Sequence, residues 1–208
     1  MEIVRYGIIG LGNQGSSYAL NIFESGKKGK AVDAVLSAVC DNNPAKIENF
    51  KEKTNLKDLA YFSDYKEMLD SGLCDAILVE TPHYQHPEIV IECLKRGLHV
   101  ICEKPAGVYT KQVKEMNEVA KNSKALFALM FNQRTNCVYR KMKEIIAEGG
   151  IGELQRVNWI ITDWFRTQQY YDSGSWRATW EGEGGGVLIN QCPIQRPTER
   201  GLSGEGTD

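Results

Sequence analysis

Apolar positions along the chain alternate between short continuous runs and longer stretches with helical spacing. "RYGIIGLG" (5–12) predicts a buried strand running into glycines. "SSYALNIFES" (16–25) has helix-like apolar spacing and stops at Gly26. "AVDAVLSAVCD" (31–41) predicts a second strand, and "NPAKIENFKEKT" (43–54) a helix with proline near its start. "DLAYFSDYKEMLDSG" (58–72) predicts a short third strand and then a helix. "CDAILVETP" (74–82) predicts a fourth strand, followed by its helix "HPEIVIECLKRG" (86–97). "HVICEKP" (99–105) is a fifth strand, "TKQVKEMNEVAKNS" (110–123) a helix and "ALFALMFNQR" (125–134) a sixth strand. Strands alternating with helices in this way predict βαβ units and a doubly wound parallel sheet of the Rossmann type. Both faces of such a sheet are buried, which suits the uninterrupted apolar run "AILV".

The rhythm changes after Arg134. "NCVYRKMKEIIAEGGIG" (136–152) predicts a helix closed by glycines, and "ELQRVNWIITDWF" (153–165) alternates like a half-buried strand. The aromatic loop "RTQQYYDSGSWRATWEGEGGG" (166–186) leads to "VLINQCP" (187–193), which reads as the first turns of an apolar helix. "IQRPTERGLSGEGTD" (194–208) is polar and aperiodic and is expected to be disordered. The predicted organisation is a dinucleotide-binding domain over 1–134, part of an α+β substrate domain over 135–193, and a tail over 194–208.

Composition narrows the function classes without choosing one. The chain has 208 residues, 25 basic and 27 acidic, with a net charge of −2. No basic surface for nucleic acid is expected, and no apolar run approaches the roughly 20 residues of a membrane span. The N-terminus has no secretory pattern, and the six cysteines form no CxxC pair. A reduced, cytoplasmic setting is expected. His83 and His86 have no third ligand at useful spacing, so no metal site is expected.

"GLGNQG" places Gly10, Gly12 and Gly15 in a GxGxxG pattern between a predicted strand and a predicted helix. The first glycine permits the tight turn, the second lets the backbone approach a pyrophosphate, and the third lets helix and strand pack closely. Free N–H groups at the helix start, with Asn13 and Gln14 inside the motif, then face the phosphates. Asp41 ends the second strand, where an acid can accept from the adenosine ribose hydroxyls. It could equally be an exposed aspartate opening the turn "DNNP". No arginine follows it and Lys46 is the nearest cation, so NAD is the expected cofactor, with NADP as the alternative.

"GLGNQG", "TPHYQHPEIV", "EKP" and "WRATWEGEGGG", in that order, resemble the Gfo/Idh/MocA family of oxidoreductases over about residues 3–193. The resemblance implies a Rossmann domain followed by an α/β domain whose sheet lines the substrate site and often forms the oligomer interface. It implies hydride transfer between a nicotinamide and a hydroxyl carbon of a sugar, polyol or related compound. Lys104 would be the catalytic lysine, holding the substrate oxygen and relaying its proton. Glu103 would fix Lys104 or contact the cofactor, and the peptide before Pro105 is often cis in the family. Thr81 and Pro82 would lie beside the nicotinamide, and His86 would cap the next helix near the cofactor. A bare strand-end turn and an ordinary loop histidine are the structural alternatives. Trp176 with Arg177 would form part of the substrate wall, unless the loop packs its own aromatics together.

One departure from the family pattern bears on chemistry. The family commonly has an Asp after its glycine run and a His four residues later. Asn190 and Ile194 stand there in this chain: Asn190 can still hydrogen-bond a substrate hydroxyl but cannot carry charge, and Ile194 can neither donate, accept nor titrate. The expectation is a truncated or frame-shifted member with doubtful activity. A dinucleotide-binding module without chemistry and an inactive fragment are the alternatives.

Overall fold

The computed structural model describes residues 3–27, 33–56, 58–158, 160, 162 and 165–192. The chain divides into two compact units, Met1–Leu129 and Met130–Asp208. In the first unit the elements run β1 (Val4–Ile9), α1 (Asn13–Lys27), β2 (Ala34–Cys40), α2 (Pro44–Thr54), β3 (Ala60–Phe62) and α3 (Tyr65–Asp70). They continue with β4 (Ala76–Val79), α4 (His86–Lys95), β5 (His99–Cys102), α5 (Thr110–Asn122) and β6 (Phe127–Leu129). All pairings are parallel, and the strand order is β3-β2-β1-β4-β5-β6. This is the doubly wound arrangement that the alternating pattern predicts.

Period-two alternation divides the core between the two faces of the sheet. Ile9, Ile77 and Val79 pack on one face with Val90 and Cys93 of α4 and Met116 of α5. Ile8, Val39 and Leu78 pack on the other with Ala19 of α1 and Ile47 and Phe50 of α2. All four residues of β4 are buried, as a central strand covered on both faces requires. In the first unit side-chain caps fix the starts of α2 and α3. Asn43 accepts from the Ala45 N–H at 3.0 Å, and Asp64 from the Lys66 N–H at 2.6 Å.

The sheet ends in two short strands, β3 and β6, of three residues each. β6 is shorter than the 125–134 run suggests. Its ladder stops at the Cys102–Leu129 pair because β5 turns away at Glu103. Asn132–Thr135 instead form a single 3-10 turn.

The second unit contains α6 (Cys137–Ala147), α7 (Gln168–Asp172), α8 (Trp180–Glu183) and α9 (Val187–Asn190). The strand expected over 153–165 is not formed in the described residues of that stretch. An alternating pattern supplies a face, but a strand also needs a hydrogen-bonded neighbour. No strand of the second unit is present among the described residues to provide one. Val157 is accordingly 38% exposed. Trp159, Ile161, Trp164, Ile194 and the tail 194–208 lie outside the described residues.

Candidate functional site

The glycine loop carries out three different tasks at its three glycines. Gly10 has φ +102°, and a Cβ there would fall 2.6 Å from the Glu80 carbonyl oxygen. Its N–H donates to the Cys40 carbonyl at 2.8 Å, which ties the turn to β2. A Cβ on Gly15 would lie 1.8 Å from the Gly10 carbonyl oxygen, so α1 crosses the loop at backbone contact. Around Gly12 nothing lies within 4 Å of a Cβ position. The Gly12 carbonyl accepts from the Ser16 N–H at 2.9 Å, which makes Gly12 the helix cap. The N–H groups of Asn13, Gln14 and Gly15 therefore sit in the first turn, with no carbonyl behind them in the helix. An open approach at Gly12 beside these donors fits a pyrophosphate.

Asp41 is 5% exposed, not a surface aspartate. Its Oδ2 accepts from the Leu11 N–H at 2.8 Å and its Oδ1 from the Asn43 N–H at 2.9 Å. Lys46 Nζ lies 3.2 Å from Oδ2. The carboxylate thus braces the glycine loop against the start of α2. Asp41→Ala would strip two backbone donors of their acceptor. It is expected to cost about 2–4 kcal/mol, read from urea unfolding. An unchanged midpoint would show that the brace carries no stability.

The ends of β4 and β5 lie side by side. Val79 pairs with Cys102 in the parallel register, so Glu80 and Glu103 follow as neighbours. The Glu80 N–H donates to the Ile9 carbonyl at 2.8 Å, and the Glu103 N–H to the Val79 carbonyl at 2.9 Å. Glu103 Oε1 accepts from the Tyr18 hydroxyl at 3.2 Å, and Oε2 from the Lys104 N–H at 3.0 Å. Burial raises the Glu103 carboxyl pKa, opposed by the Lys104 charge. Burial, then the two carboxyls, also raise the Tyr18 hydroxyl. The Lys104–Pro105 peptide is cis.

Both Glu80 carboxyl oxygens and the Thr81 hydroxyl are buried without a hydrogen-bond partner. Burial and then the Glu103 charge push the Glu80 pKa up to about 9. Neither Glu80 nor Tyr18 belongs to the sequence motifs above. A signal for Glu80 exists in the sequence, since an acid directly follows the apolar run in "AILVETP" just as in "VICEKP".

His86 is fully buried and opens α4, while Gln85 occupies the cap position without a side-chain cap bond. The expected helix-capping role is thus replaced by another contact. Its Nδ1 lies 2.7 Å from the Pro105 carbonyl oxygen and its Nε2 2.8 Å from the Thr81 carbonyl oxygen. The ring therefore staples the turn after β4 to the turn after β5. Desolvation lowers its pKa below the usual 6.5, against the pull of the two carbonyls. The folded state then takes up this proton later than the unfolded state as pH falls. This group accordingly subtracts stability below about pH 6.5. The His86 ring resonances are expected to titrate with a midpoint below 6.5 in an NMR pH series; a higher midpoint would show that the two carbonyl contacts outweigh burial and hold the ring protonated.

Within the second unit, Trp176, Arg177 and Asn190 are gathered into one cluster. The Arg177 guanidinium carbon lies 4.3 Å from the Tyr170 ring centre and 4.5 Å from the Trp176 ring. Its Nη1 also donates to the Tyr170 hydroxyl. Glu183, 5% exposed, accepts from the Ala178 N–H at 2.9 Å and from Asn190 Nδ2 at 2.7 Å. Its Oε1 is 3.9 Å from Arg177 Nη1. Tyr170, Trp176 and Arg177 thus pack on one another, whereas Trp180 and Phe165 are 80% and 85% exposed. Glu183, to which the family resemblance gives no role, organises the cluster.

Comparison with known proteins adds a family context. Residues 4–131 match the family model described as the oxidoreductase family with NAD-binding Rossmann fold. Residues 139–194 match the GFO/IDH/MocA C-terminal domain. A myo-inositol 2-dehydrogenase of Thermotoga maritima is 32% identical over 151 residues, 72% of this chain and 42% of that one. The WlbA dehydrogenase of Bordetella pertussis, solved with NADH and UDP-GlcNAcA, superposes with a TM-score of 0.79 at 27% identity. The match covers 97% of this chain and 58% of that one. A Lactobacillus casei scyllo-inositol dehydrogenase, solved with NAD(H) and scyllo-inositol, gives a TM-score of 0.65 at 28% identity. That match covers 73% of this chain and 43% of the other. The chain therefore spans about half the length of the relatives it matches.

Proposed function

The chain belongs to the GFO/IDH/MocA oxidoreductase family, whose first domain is an NAD-binding Rossmann fold, and on that footing we propose that it is the NAD-binding part of a sugar or polyol dehydrogenase. The crevice beyond β1, β4 and β5 is the cofactor site, because ligands of open parallel sheets bind beyond the carboxyl ends of the strands. The observation that carries this is the open approach at Gly12 beside the first-turn N–H groups of α1.

Gly10, Gly12, Asn13, Gln14 and Gly15 shape the pyrophosphate cradle, and Asp41 holds the loop in place. Thr81, Pro82 and Glu103 line the nicotinamide end, while His86 keeps the two strand-end turns in register. Bound NAD supplies the hydride acceptor. Lys104 holds the substrate oxygen and relays its proton, with Glu103 fixing the turn that carries it. In the second unit Arg177, Trp176 and Asn190 meet substrate hydroxyls and C–H faces, positioned by Glu183.

The setting we propose is reducing and cytoplasmic. All six cysteines are free, and no helix among the described residues is long and apolar enough to cross a membrane. Self-association through the second domain is part of the same proposal. A second reading, a dinucleotide-binding module without chemistry, is favoured by Asn190 and Ile194 at the family's Asp and His positions.

A fluorescence titration of the chain with NADH and with NADPH tests the cofactor site. Saturable binding, tighter for NADH, is expected, and binding of neither would remove the proposal. Hydride transfer from polyols, followed at 340 nm as NADH forms, then separates the enzyme from the module.

A further inference from the structure

The strand order places the topological switch point between β1 and β4. Glu80 occupies that point, between the glycine loop and EKP. Its backbone is tied to Ile9, and its carbonyl lies 2.6 Å from where a Gly10 Cβ would stand. Its Cβ is 3.1 Å from a Cβ position on Gly15, so α1 passes directly over it. Both carboxyl oxygens are buried and unpartnered. Natural interiors seldom leave a carboxyl in this condition without a use for it.

Burial first, and then the Glu103 charge, keep it protonated. Glu103 from the end of β5 opposes its charge, and Tyr18 from α1 and Cys102 from β5 are electrostatically coupled to it. Lys104 acts on Glu103 and His86, and His86 turns both ring nitrogens to backbone carbonyls. Ile9 at the end of β1 and Gly10 in the turn after it adjoin Glu80, and neither titrates. The Glu80 pKa answers to burial and to Glu103, with no cation among its causes. A positive charge brought into the crevice would compensate the carboxylate.

We propose that Glu80 is a charge-sensing residue of the dinucleotide site: it releases its proton when the oxidised, positively charged nicotinamide binds and keeps it when the neutral reduced ring binds. The inference rests on the crevice being the NAD site. The carboxyl proton passes to solvent, and the carboxylate left behind faces the cation. By linkage, affinity for NAD+ then rises with pH while affinity for NADH stays level, because the two forms carry the same phosphates and differ at the ring. The site's choice between the two oxidation states thus shifts toward NAD+ as pH rises.

Isothermal titration of the whole chain with NAD+ and NADH tests this, run between pH 7 and 9 in two buffers of different ionisation heat. The expected result is NAD+ affinity rising by up to about tenfold per pH unit, with close to one proton released. NADH is expected to change less than about twofold over the same range. In Glu80→Gln the pH dependence for NAD+ is expected to vanish while NADH still binds. Two results overturn the inference: no proton release by the wild-type chain, or an unchanged pH dependence in Glu80→Gln. The first needs no variant, so a misfolded Glu80→Gln leaves the test intact. If NADH does not bind at all, the dinucleotide site itself is refuted and the inference falls with it. Level NAD+ affinity alongside normal NADH binding refutes the inference alone.

Discussion

Gly15→Ala is expected to cost the first unit roughly 3–5 kcal/mol, whereas Gly12→Ala should stay within about 1 kcal/mol of wild type yet bind NADH at least about tenfold more weakly. Two glycines three residues apart are thus assigned opposite consequences. A methyl on Gly15 meets the Gly10 carbonyl oxygen at 1.8 Å and its carbon at 3.0 Å. Both atoms are backbone, so no rotamer change relieves the clash. Either α1 lifts from the sheet or the turn after β1 opens, and Ala19 loses its packing on Ile8 and Val39 in the first case. At Gly12 the protein offers nothing within 4 Å, so the methyl projects into the space where a pyrophosphate would approach. Urea unfolding and NADH titration of both variants decide the matter. A Gly12→Ala chain that binds NADH normally would show that the cradle is not the phosphate site. A Gly15→Ala chain with the wild-type midpoint would show that the helix does not pack as closely as its backbone indicates.

Glu80→Gln is expected to stabilise the first unit at pH 7 by about 1–3 kcal/mol. Most substitutions of buried residues destabilise, so the sign is the informative part. In the folded chain the Glu80 carboxyl holds its proton to a pKa of about 9, whereas an unfolded glutamate loses it near 4.5. The folded state therefore binds more protons across that interval, and stability falls as pH rises through it. Below the unfolded value the group opposes nothing, and above about 9 the loss is complete. A glutamine is neutral in both states and escapes this pH-dependent loss. Its own buried amide gives back part of the gain. The difference in unfolding free energy between variant and wild type should widen from pH 5 to pH 8. His86, which titrates in the opposite sense, cancels in that difference. A constant difference would mean that Glu80 is ionised in the folded chain. The site thus holds a residue that weakens the fold, as functional positions often do.

The parallel sheet was legible because each strand is an apolar run and each helix repeats at its own period. The glycine loop was legible because three glycines at fixed spacing have few other uses between a strand and a helix. The start of α1 was not. Asn13–Gly15 carry no apolar side chain, so the periodic signal begins only at Ser16 although the backbone coils from Asn13. Asp41 stands out in the sequence as the acid that ends the second strand, but its contact with the Leu11 N–H depends on two segments 30 residues apart. The pairing of Glu80 with Glu103 is invisible in the sequence because the two follow different strands, and only the parallel register brings them together. The stretch from 153 to 165 shows the converse. Its alternation is a sound local signal for a strand, but pairing is decided by what lies alongside.

The two border strands of the sheet, Ala60–Phe62 and Phe127–Leu129, carry a further consequence for how this molecule behaves in a crowded solution. A foreign strand laid against either border would find a ladder only three residues long. So short a seam recovers too little to hold an extended segment, whose ordering costs about 1–2 kcal/mol for each residue fixed. Growth of the sheet from chain to chain is therefore disfavoured at both ends, and fibrillar assembly from the folded first unit has no ready template.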